Sequence, residues 1–187
     1  ESYVANRGKL LLKNDLEKID KFYRYLDSDG DGICYRTIPG VDAKGAYFLR
    51  GSGHNKYGGY TELGVEYIEN ADRLLKKFNT ARERVPSPVL IGSGKNSVGI
   101  VSLGGCDLAI REVQSNLAAE NISVDYLRIR AFPFDDSVDE FFTNHNDIIV
   151  IEQNRDAQLR SLLLLETAAE KGSLRSILSY GGLSLDV

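Results

Sequence analysis

The sequence has few of the residues from which metal and cluster sites are built. Only two cysteines, Cys34 and Cys106, and two histidines, His54 and His145, occur in 187 residues. Because no C-x-x-C pair is present, this chain alone cannot hold a Cys₄ zinc site or an iron–sulfur cluster. Neither histidine has a partner at metal-ligand spacing, so we expect no metal ligands here. Two separate thiols are typical of the reducing cytoplasm, which we expect to be the location of the protein.

Long apolar runs and methionine are missing as well. No apolar run approaches the ~18 residues that span a bilayer, so we expect no membrane span. The chain contains no Met and starts at Glu1, and from this we expect it to be a piece of a longer protein. Its composition, 42% hydrophobic and 27% charged, is typical of a chain that buries one core without disulfides.

Positive charge is scarce in the second half of the chain. Residues 1–86 carry 15 Lys and Arg against 13 acids (+2), whereas residues 87–187 carry 8 against 14 (−6). A nucleic-acid-binding protein needs a basic face, so we expect no nucleic-acid partner.

Residues 50–62 are the least core-like stretch, with four glycines among polar and aromatic side chains. Glycine serves where the backbone needs a positive φ or where another chain comes close. One interpretation is an ordinary Gly-rich surface loop. The other is a shaped surface on which another domain or subunit docks. His54 has no adjacent nucleophile or carboxylate pair, so we interpret it as an interface residue rather than a general base. The interface candidates in this stretch are Arg50, His54, Asn55, Tyr60 and Glu62.

Two helices are predicted on either side of an acidic loop in the first half. Asn14 or Asp15 can cap a helix through residues 16–26, and apolar residues at helical spacing predict a longer helix over residues 63–84. Its apolar stripe consists of Ile68, Ala71, Leu75 and Phe78. We therefore expect residues 1–94 to be a connecting segment with two helices and the Gly-rich loop.

The acidic loop at residues 27–32 resembles the start of a calcium loop. Asp27, Asp29 and Asp31 match EF-hand positions 1, 3 and 5, but Ile38 stands at position 12, where a bidentate Glu is needed. We therefore interpret the loop as an Asp/Gly turn and expect weak calcium binding or none.

The second half alternates between strand and helix patterns. Strands are predicted at 98–103, 124–130 and 148–151, with helices near 107–119, after 135 and near 157–170, and a last short strand at 177–180. This alternation predicts an α/β fold over residues 95–187, with a mostly parallel sheet and helices on both faces.

No stretch of this half predicts a catalytic or cofactor-binding residue. Gly104-Gly105 opens a helix but lacks the G-x-G-x-x-G spacing of a dinucleotide site, and His145 is interpreted as a helix-end loop residue. Polar residues 152–156 follow the third strand, at the sheet edge where ligands bind in such folds. We count Glu152, Asn154 and Arg155 as interface candidates. The alternative is that Asn154 or Asp156 only caps the next helix.

Several motifs, in order, resemble one family. They are Asp-Gly-Asp-Gly-Ile-x-Tyr-Arg-Thr-x-Pro-Gly (29–40), Arg-Gly-x-Gly-His-x-x-Tyr-x-x-Tyr-Thr-Glu (50–62), Tyr-Leu-Arg-Ile-Arg-Ala-Phe-Pro-Phe (126–134) and Val-Ile-Glu-Gln-Asn-Arg-Asp-Ala-Gln-Leu (150–159). Together they resemble the C-terminal part of the α subunit of 2-oxoacid:ferredoxin oxidoreductases, and among these the 2-oxoglutarate type.

The resemblance implies that this chain forms a transketolase C-terminal-like domain. It also implies that none of the family's catalytic residues lies in this sequence. It implies a CoA-acylating complex in which thiamine diphosphate, Mg and a [4Fe–4S] cluster lie on other regions or on the β subunit. The implied partners are that β subunit, the missing N-terminal domains and, through the complex, ferredoxin or another acceptor. The alternative is a stand-alone binding or regulatory module with the same fold.

Overall fold

The computed structural model describes residues 4–49 and 51–185. Contacts between Cα atoms divide the chain into two compact units, residues 1–81 and 82–187. This division lies earlier in the sequence than the predicted one between residues 94 and 95. A strand that precedes the predicted boundary, at Val89–Ile91, belongs to the sheet of the second unit.

The second unit contains a five-stranded sheet that is parallel except at one edge. Its strands follow the order β3-β5-β4-β6-β7, and only β3 runs antiparallel to its neighbour. The strands are β3 (Val89–Ile91), β4 (Val98–Leu103), β5 (Asp125–Ile129), β6 (Asp147–Glu152) and β7 (Leu174–Leu178). The three predicted strands are therefore confirmed as neighbours, with β4 between β5 and β6. The last strand lies a few residues earlier than predicted.

Helices cover both faces of this sheet, as the continuous hydrophobicity of β4 and β6 predicted. They are α3 (Asp107–Ala119), α4 (Asp136–Asn144) and α5 (Gln158–Glu166). Along each central strand, side chains alternate between two cores. Ile100 packs with Ile110 of α3, whereas its neighbour Val101 packs with Val138 of α4 and Leu163 of α5. The α/β class with helices on both faces is thus confirmed.

The first unit contains one long helix and little regular structure besides it. Its elements are β1 (Leu10–Leu11), α1 (Lys13–Leu16), β2 (Arg36–Thr37) and α2 (Gly64–Arg82). The strands β1 and β2 pair in parallel. The prediction of α2 is confirmed within two residues at either end. In the part of the chain that the structure describes, no helix is long and apolar enough to span a bilayer.

The helix predicted over residues 16–26 is wrong, because α1 ends after a single turn at Leu16. The Lys44 ammonium donates to the carbonyl oxygens of Leu16 (3.2 Å) and Ile19 (2.7 Å). In a longer helix, backbone N–H groups further along the chain would donate to these carbonyls, and here Lys44 does so instead. Phe22, spaced as a helical residue, is instead buried in an irregular segment, where its ring lies 5.8 Å edge-on from Tyr47.

The acidic loop is closed around a lysine of the same chain. The carboxylates of Asp27, Asp29 and Asp31 offer oxygens within 4.8 Å of one another. The Lys9 ammonium lies 2.6 Å from Asp29 and 2.5 Å from Asp31. Its hydrogen bond lowers the pKa of Asp29. Asp27 accepts two glycine N–H groups of the loop. Asp27 therefore stabilises the turn, and Asp29 and Asp31 form an ion pair with Lys9 of the same chain.

The acidic loop also packs directly on the backbone of α2, at Gly32. The φ of Gly32 is +82°, and a Cβ on this residue would lie 2.2 Å from the amide nitrogen of Lys77. The Arg73 guanidinium donates to the Gly32 carbonyl at 3.1 Å, and the Thr80 hydroxyl donates to the Asp31 carbonyl at 2.6 Å. Only glycine fits this approach.

We expect Gly32→Ala to lower the free energy of unfolding by about 3 kcal/mol or more, because left-handed strain of ~1–2 kcal/mol adds to an overpacking cost of ~1–3 kcal/mol. Gly40→Ala is the matched control, since its φ is +83° but a Cβ there meets no atom within 4 Å. Gly40→Ala should lower the free energy of unfolding only by the left-handed strain of ~1–2 kcal/mol. Urea unfolding measures both, and equal losses would show that the contact with α2 contributes nothing.

Candidate functional site

Residues 51–62 form a tight turn whose backbone is fixed by Asn55. The Asn55 N–H donates to the Gly59 carbonyl at 2.9 Å, and the Gly58 N–H donates to the Asn55 carbonyl at 2.9 Å. The Asn55 side-chain oxygen accepts the N–H groups of Tyr57 (3.1 Å) and Gly59 (3.0 Å). The glycines thus serve a defined turn, which we call the Gly-rich turn.

Side chains of the first unit hold the Gly-rich turn against α2. The Asn55 amide donates to Glu66 at 3.3 Å, and the Asn70 amide donates to the carbonyl of His54. The His54 ring stacks on Tyr25, with centroids 3.9 Å apart and an interplanar angle of 21°. Of the predicted interface residues, His54 and Asn55 therefore shape the turn from within.

Tyr60 and Glu62 lie on the outer surface of the same turn. Tyr60 is 56% exposed, and its hydroxyl donates to the Glu62 carboxylate, which raises the pKa of Tyr60. Tyr57 is 54% exposed, with its ring edge-on to Tyr23 at 5.0 Å. Arg50 lies outside the described residues. The turn thus presents two tyrosines and a carboxylate to solvent.

The helix that follows the turn exposes its apolar stripe. An amphipathic helix normally buries this face, yet no residue of α2 is buried. Ile68 is 58% exposed and Leu75 62% exposed, with Tyr67 and Leu74 exposed on either side of the stripe. Exposed apolar residues gathered on one element in this way are typical of an interaction surface.

Glu152 and Asn154 lie in the second unit, at the carboxyl end of β6. Glu152 is only 4% exposed. Its carboxylate accepts the N–H groups of Leu159 (2.7 Å) and Arg160 (3.0 Å) in the first turn of α5, and the Asn154 amide at 2.6 Å. This carboxylate therefore satisfies the free N–H groups at a helix start.

Asn154 has a similar local role, whereas Arg155 faces solvent. The Asn154 side-chain oxygen accepts the N–H groups of Asp156 (3.0 Å) and Gln158 (3.2 Å). Arg155 is exposed and pairs with the adjacent Asp156 at 2.7 Å. Of the two residues in the capping alternative, Asn154 accepts an N–H at the start of α5, and Glu152, which that alternative did not include, accepts two more. Arg155 is the member of this group available to a partner. The two groups of candidates belong to different compact units.

A buried pair of polar side chains in the second unit, Asp125 and His145, was not predicted from the sequence. Asp125 and His145 are both buried, and Nε2 of His145 lies 3.1 Å from the Asp125 carboxylate. The other ring nitrogen lies 2.7 Å from the Phe141 carbonyl, so both nitrogens face oxygens that can accept a hydrogen bond. The residue type at position 92 reflects this site, because a Cβ on Gly92 would lie 2.2 Å from the Asp125 carboxylate and only glycine fits there.

The Asp125 carboxylate connects the starts of three strands. It accepts the N–H groups of Gly94 (3.0 Å) and Asn96 (2.8 Å), which precede β4, and the Asn96 amide at 2.9 Å. Asp125 itself opens β5, and His145 precedes β6. All these residues lie at the amino ends of the parallel strands, away from the edge where ligands of such sheets bind. The pair therefore has a structural role.

The fold has a counterpart among solved structures. The 2-oxoglutarate:ferredoxin oxidoreductase from Magnetococcus marinus, with 2-oxoglutarate, coenzyme A and succinyl-CoA bound, matches with a TM-score of 0.78. The two sequences are 22% identical, and the match covers 89% of this chain and 29% of that chain. This chain shares the fold of that segment. It spans less than a third of the oxidoreductase chain.

A second solved structure is the alpha chain of a probable 2-oxoacid ferredoxin oxidoreductase from Thermoplasma acidophilum. It is 29% identical over 54% of this chain and 86% of that chain, with a TM-score of 0.35. No family model matches the sequence.

We expect Asp125→Asn to lower the free energy of unfolding at neutral pH by about 1–3 kcal/mol or more, because it replaces a charged acceptor and leaves buried donors without a partner. Burial raises the pKa of Asp125, but hydrogen bonds from Asn96, His145 and Gly94 outweigh it and leave that pKa below 3.8. A depressed pKa stabilises the fold above the unfolded value, and this contribution is lost as the pH falls through the folded value. The variant should lose that part of the acid dependence.

The matched control is Asp156→Asn, which removes an exposed carboxylate from the same unit. It should cost at most about 1 kcal/mol, since exposed ion pairs contribute little. Urea unfolding between pH 2 and 7 gives both quantities. If the two variants unfold alike at every pH, Asp125 does not hold the strand ends together.

Proposed function

We propose that this chain is the C-terminal part of the α subunit of a CoA-acylating 2-oxoacid:ferredoxin oxidoreductase, in which it serves as scaffold and subunit-contact domain. The observation that carries this proposal is the fold shared with the Magnetococcus marinus oxidoreductase over 89% of this chain. The four sequence motifs that resemble the same family, in order along the chain, support it independently.

In this proposal, the chemistry takes place on other parts of the complex. Thiamine diphosphate supplies the carbanion-stabilising chemistry of 2-oxoacid decarboxylation, and an iron–sulfur cluster accepts single electrons. The two cysteines, Cys34 and Cys106, are both buried and lie in different units, so they do not fit a cluster with four thiolate ligands. The chain contributes positioning, with its polar loops directed to other subunits.

Two finer points are also part of the proposal. The substrate is 2-oxoglutarate, which is bound in the Magnetococcus marinus structure. The location is the cytoplasm, which suits two unpaired thiols.

The exposed stripe of α2 favours an assembly over a stand-alone module. A free module would leave Ile68 and Leu75 in water, at a cost of roughly 25 cal/mol for each Å² of apolar surface. A subunit contact removes that cost. We propose that the β subunit or the N-terminal domains of the same subunit cover α2 and the outer side of the Gly-rich turn, and that Arg50 and Arg155 add polar contacts.

Tyr60→Ala in the full α subunit should weaken assembly with the β subunit at least about tenfold, with little change in melting temperature, because Tyr60 is exposed and aromatic interface residues dominate binding. His54→Ala should lower both the affinity for the β subunit and the melting temperature, since His54 also stacks on Tyr25. Tyr180→Ala, an exposed tyrosine of the second unit, is the control. Sedimentation and thermal unfolding measure the two effects. If Tyr60→Ala and the control assemble equally well with the β subunit, the Gly-rich turn is not part of the interface.

The proposed activity requires the whole complex. The α and β subunits together should reduce an electron acceptor in the presence of CoA and a 2-oxoacid, fastest with 2-oxoglutarate, whereas the 187-residue chain alone should not. An acceptor-reduction assay with 2-oxoglutarate, pyruvate and a branched-chain 2-oxoacid tests this. Turnover by the chain alone, or none by the complex with any 2-oxoacid, contradicts the proposal.

A further inference from the structure

A strongly basic cavity lies within the first unit. It has a volume of about 460 Å³ and twelve lining residues, of which six are Lys or Arg and none is acidic. The six cationic residues are Arg7, Lys9, Arg24, Arg36, Arg73 and Lys77. We propose that this cavity, the basic pocket, binds a small phosphorylated molecule that carries at least two phosphoryl groups. This site is separate from the oxidoreductase proposal and does not depend on it.

Most of this positive charge has no ion-pair partner among the described residues. Of the six cations, Lys9 alone is paired within residues 4–49 and 51–185, through its contacts with Asp29 and Asp31. Arg36 donates to a backbone carbonyl, which carries no net charge. Among the described residues, the charged groups of Arg24 and Lys77 have no hydrogen bond or ion pair. A folded protein normally pairs or disperses its charges, so this cluster indicates an anion from outside the chain.

Arg73 provides a second, independent indication. One of its terminal nitrogens donates to the Gly32 carbonyl at 3.1 Å. Its Nε is buried, and within the part of the chain that the structure describes it has no hydrogen-bond partner. A buried N–H without an acceptor is costly, and a shift of the Arg73 side chain towards a ligand in the pocket would give it one.

Cys34, which also lines the pocket, does not supply the missing negative charge. Burial, helped by the nearby Asp27 carboxylate, raises the pKa of its thiol, and this outweighs the opposing effect of Arg73, Arg24 and Lys77. The thiol therefore stays protonated and neutral at pH 7.

The chemical class of the ligand follows from the donors and the size of the pocket. Guanidinium groups bind phosphoryl oxygens through paired, charge-assisted hydrogen bonds. Among the described residues, five of these cations have no carboxylate partner. That much positive charge favours a ligand with more negative charge than a single carboxylate or phosphate carries. The volume leaves room for an organic group beside the phosphates, and Tyr25, Ile33 and Leu74 provide apolar and aromatic wall for it.

The test is calorimetric titration of the 187-residue chain with inorganic pyrophosphate at low ionic strength. We expect binding that is tighter than that of inorganic phosphate or succinate and that weakens as salt is added. Arg24→Gln and Lys77→Gln should each weaken it by about tenfold, because each removes one charge-assisted contact. Neither side chain has a structural partner among the described residues, so both variants should keep the melting temperature of the unmodified chain.

Lys13→Gln is the matched control, because it removes one positive charge from an exposed position of the same unit that does not line the pocket. It should leave pyrophosphate affinity unchanged. The proposal is overturned if pyrophosphate does not bind, if Lys13→Gln weakens binding as much as Lys77→Gln, or if succinate binds equally well. Binding of a short single-stranded RNA in place of pyrophosphate would also overturn it.

Discussion

Polar groups that regular secondary structure leaves without a hydrogen-bond partner need another one, and in both units side chains supply it and so hold the loops in place. In the second unit, the Asp125 carboxylate accepts four hydrogen bonds, including one from His145, and so joins the segments that open β4, β5 and β6. In the first unit, the Asn55 side chain satisfies the backbone of the Gly-rich turn, and Lys44 satisfies the carbonyls beyond α1. These side chains replace regular secondary structure where the chain has little of it.

This arrangement bears on the proposed contact surface. Because Asn55 and His54 fix the turn before any partner binds, Tyr57 and Tyr60 are displayed on an ordered backbone. The turn therefore loses less conformational entropy when a partner binds, and this favours tight association for a given contact area. The exposed stripe of α2 adds apolar surface in the same unit. The shape of the turn and its surface chemistry are thus supplied by different residues, although all of them appear in one short stretch of sequence.

How far the site could be predicted depends on whether its contacts are local. The Gly-rich turn was recognisable, since its glycines and polar side chains interact mostly with one another. Sequence reasoning gave Glu152 as an interface candidate, but its carboxylate turns inward to α5, a choice that depends on the path of the chain after β6. The Asp125–His145 pair and the basic pocket were not predicted. The two members of the pair are 20 residues apart, and the pocket is assembled from separate segments between residues 6 and 77.

The α/β architecture of the second unit could be predicted from the sequence, since the apolar continuity of β4 and β6 and the helical spacing in α3 are local patterns set by backbone geometry. The extent of α2 could be predicted in the same way. Three other features depend on long-range contacts: α1 ends at Leu16, Lys9 lies between Asp29 and Asp31, and six cations of the first unit surround one cavity. Charge and hydrogen-bond partners from distant segments meet only after the chain has folded, and neither periodicity nor composition records which of them will meet.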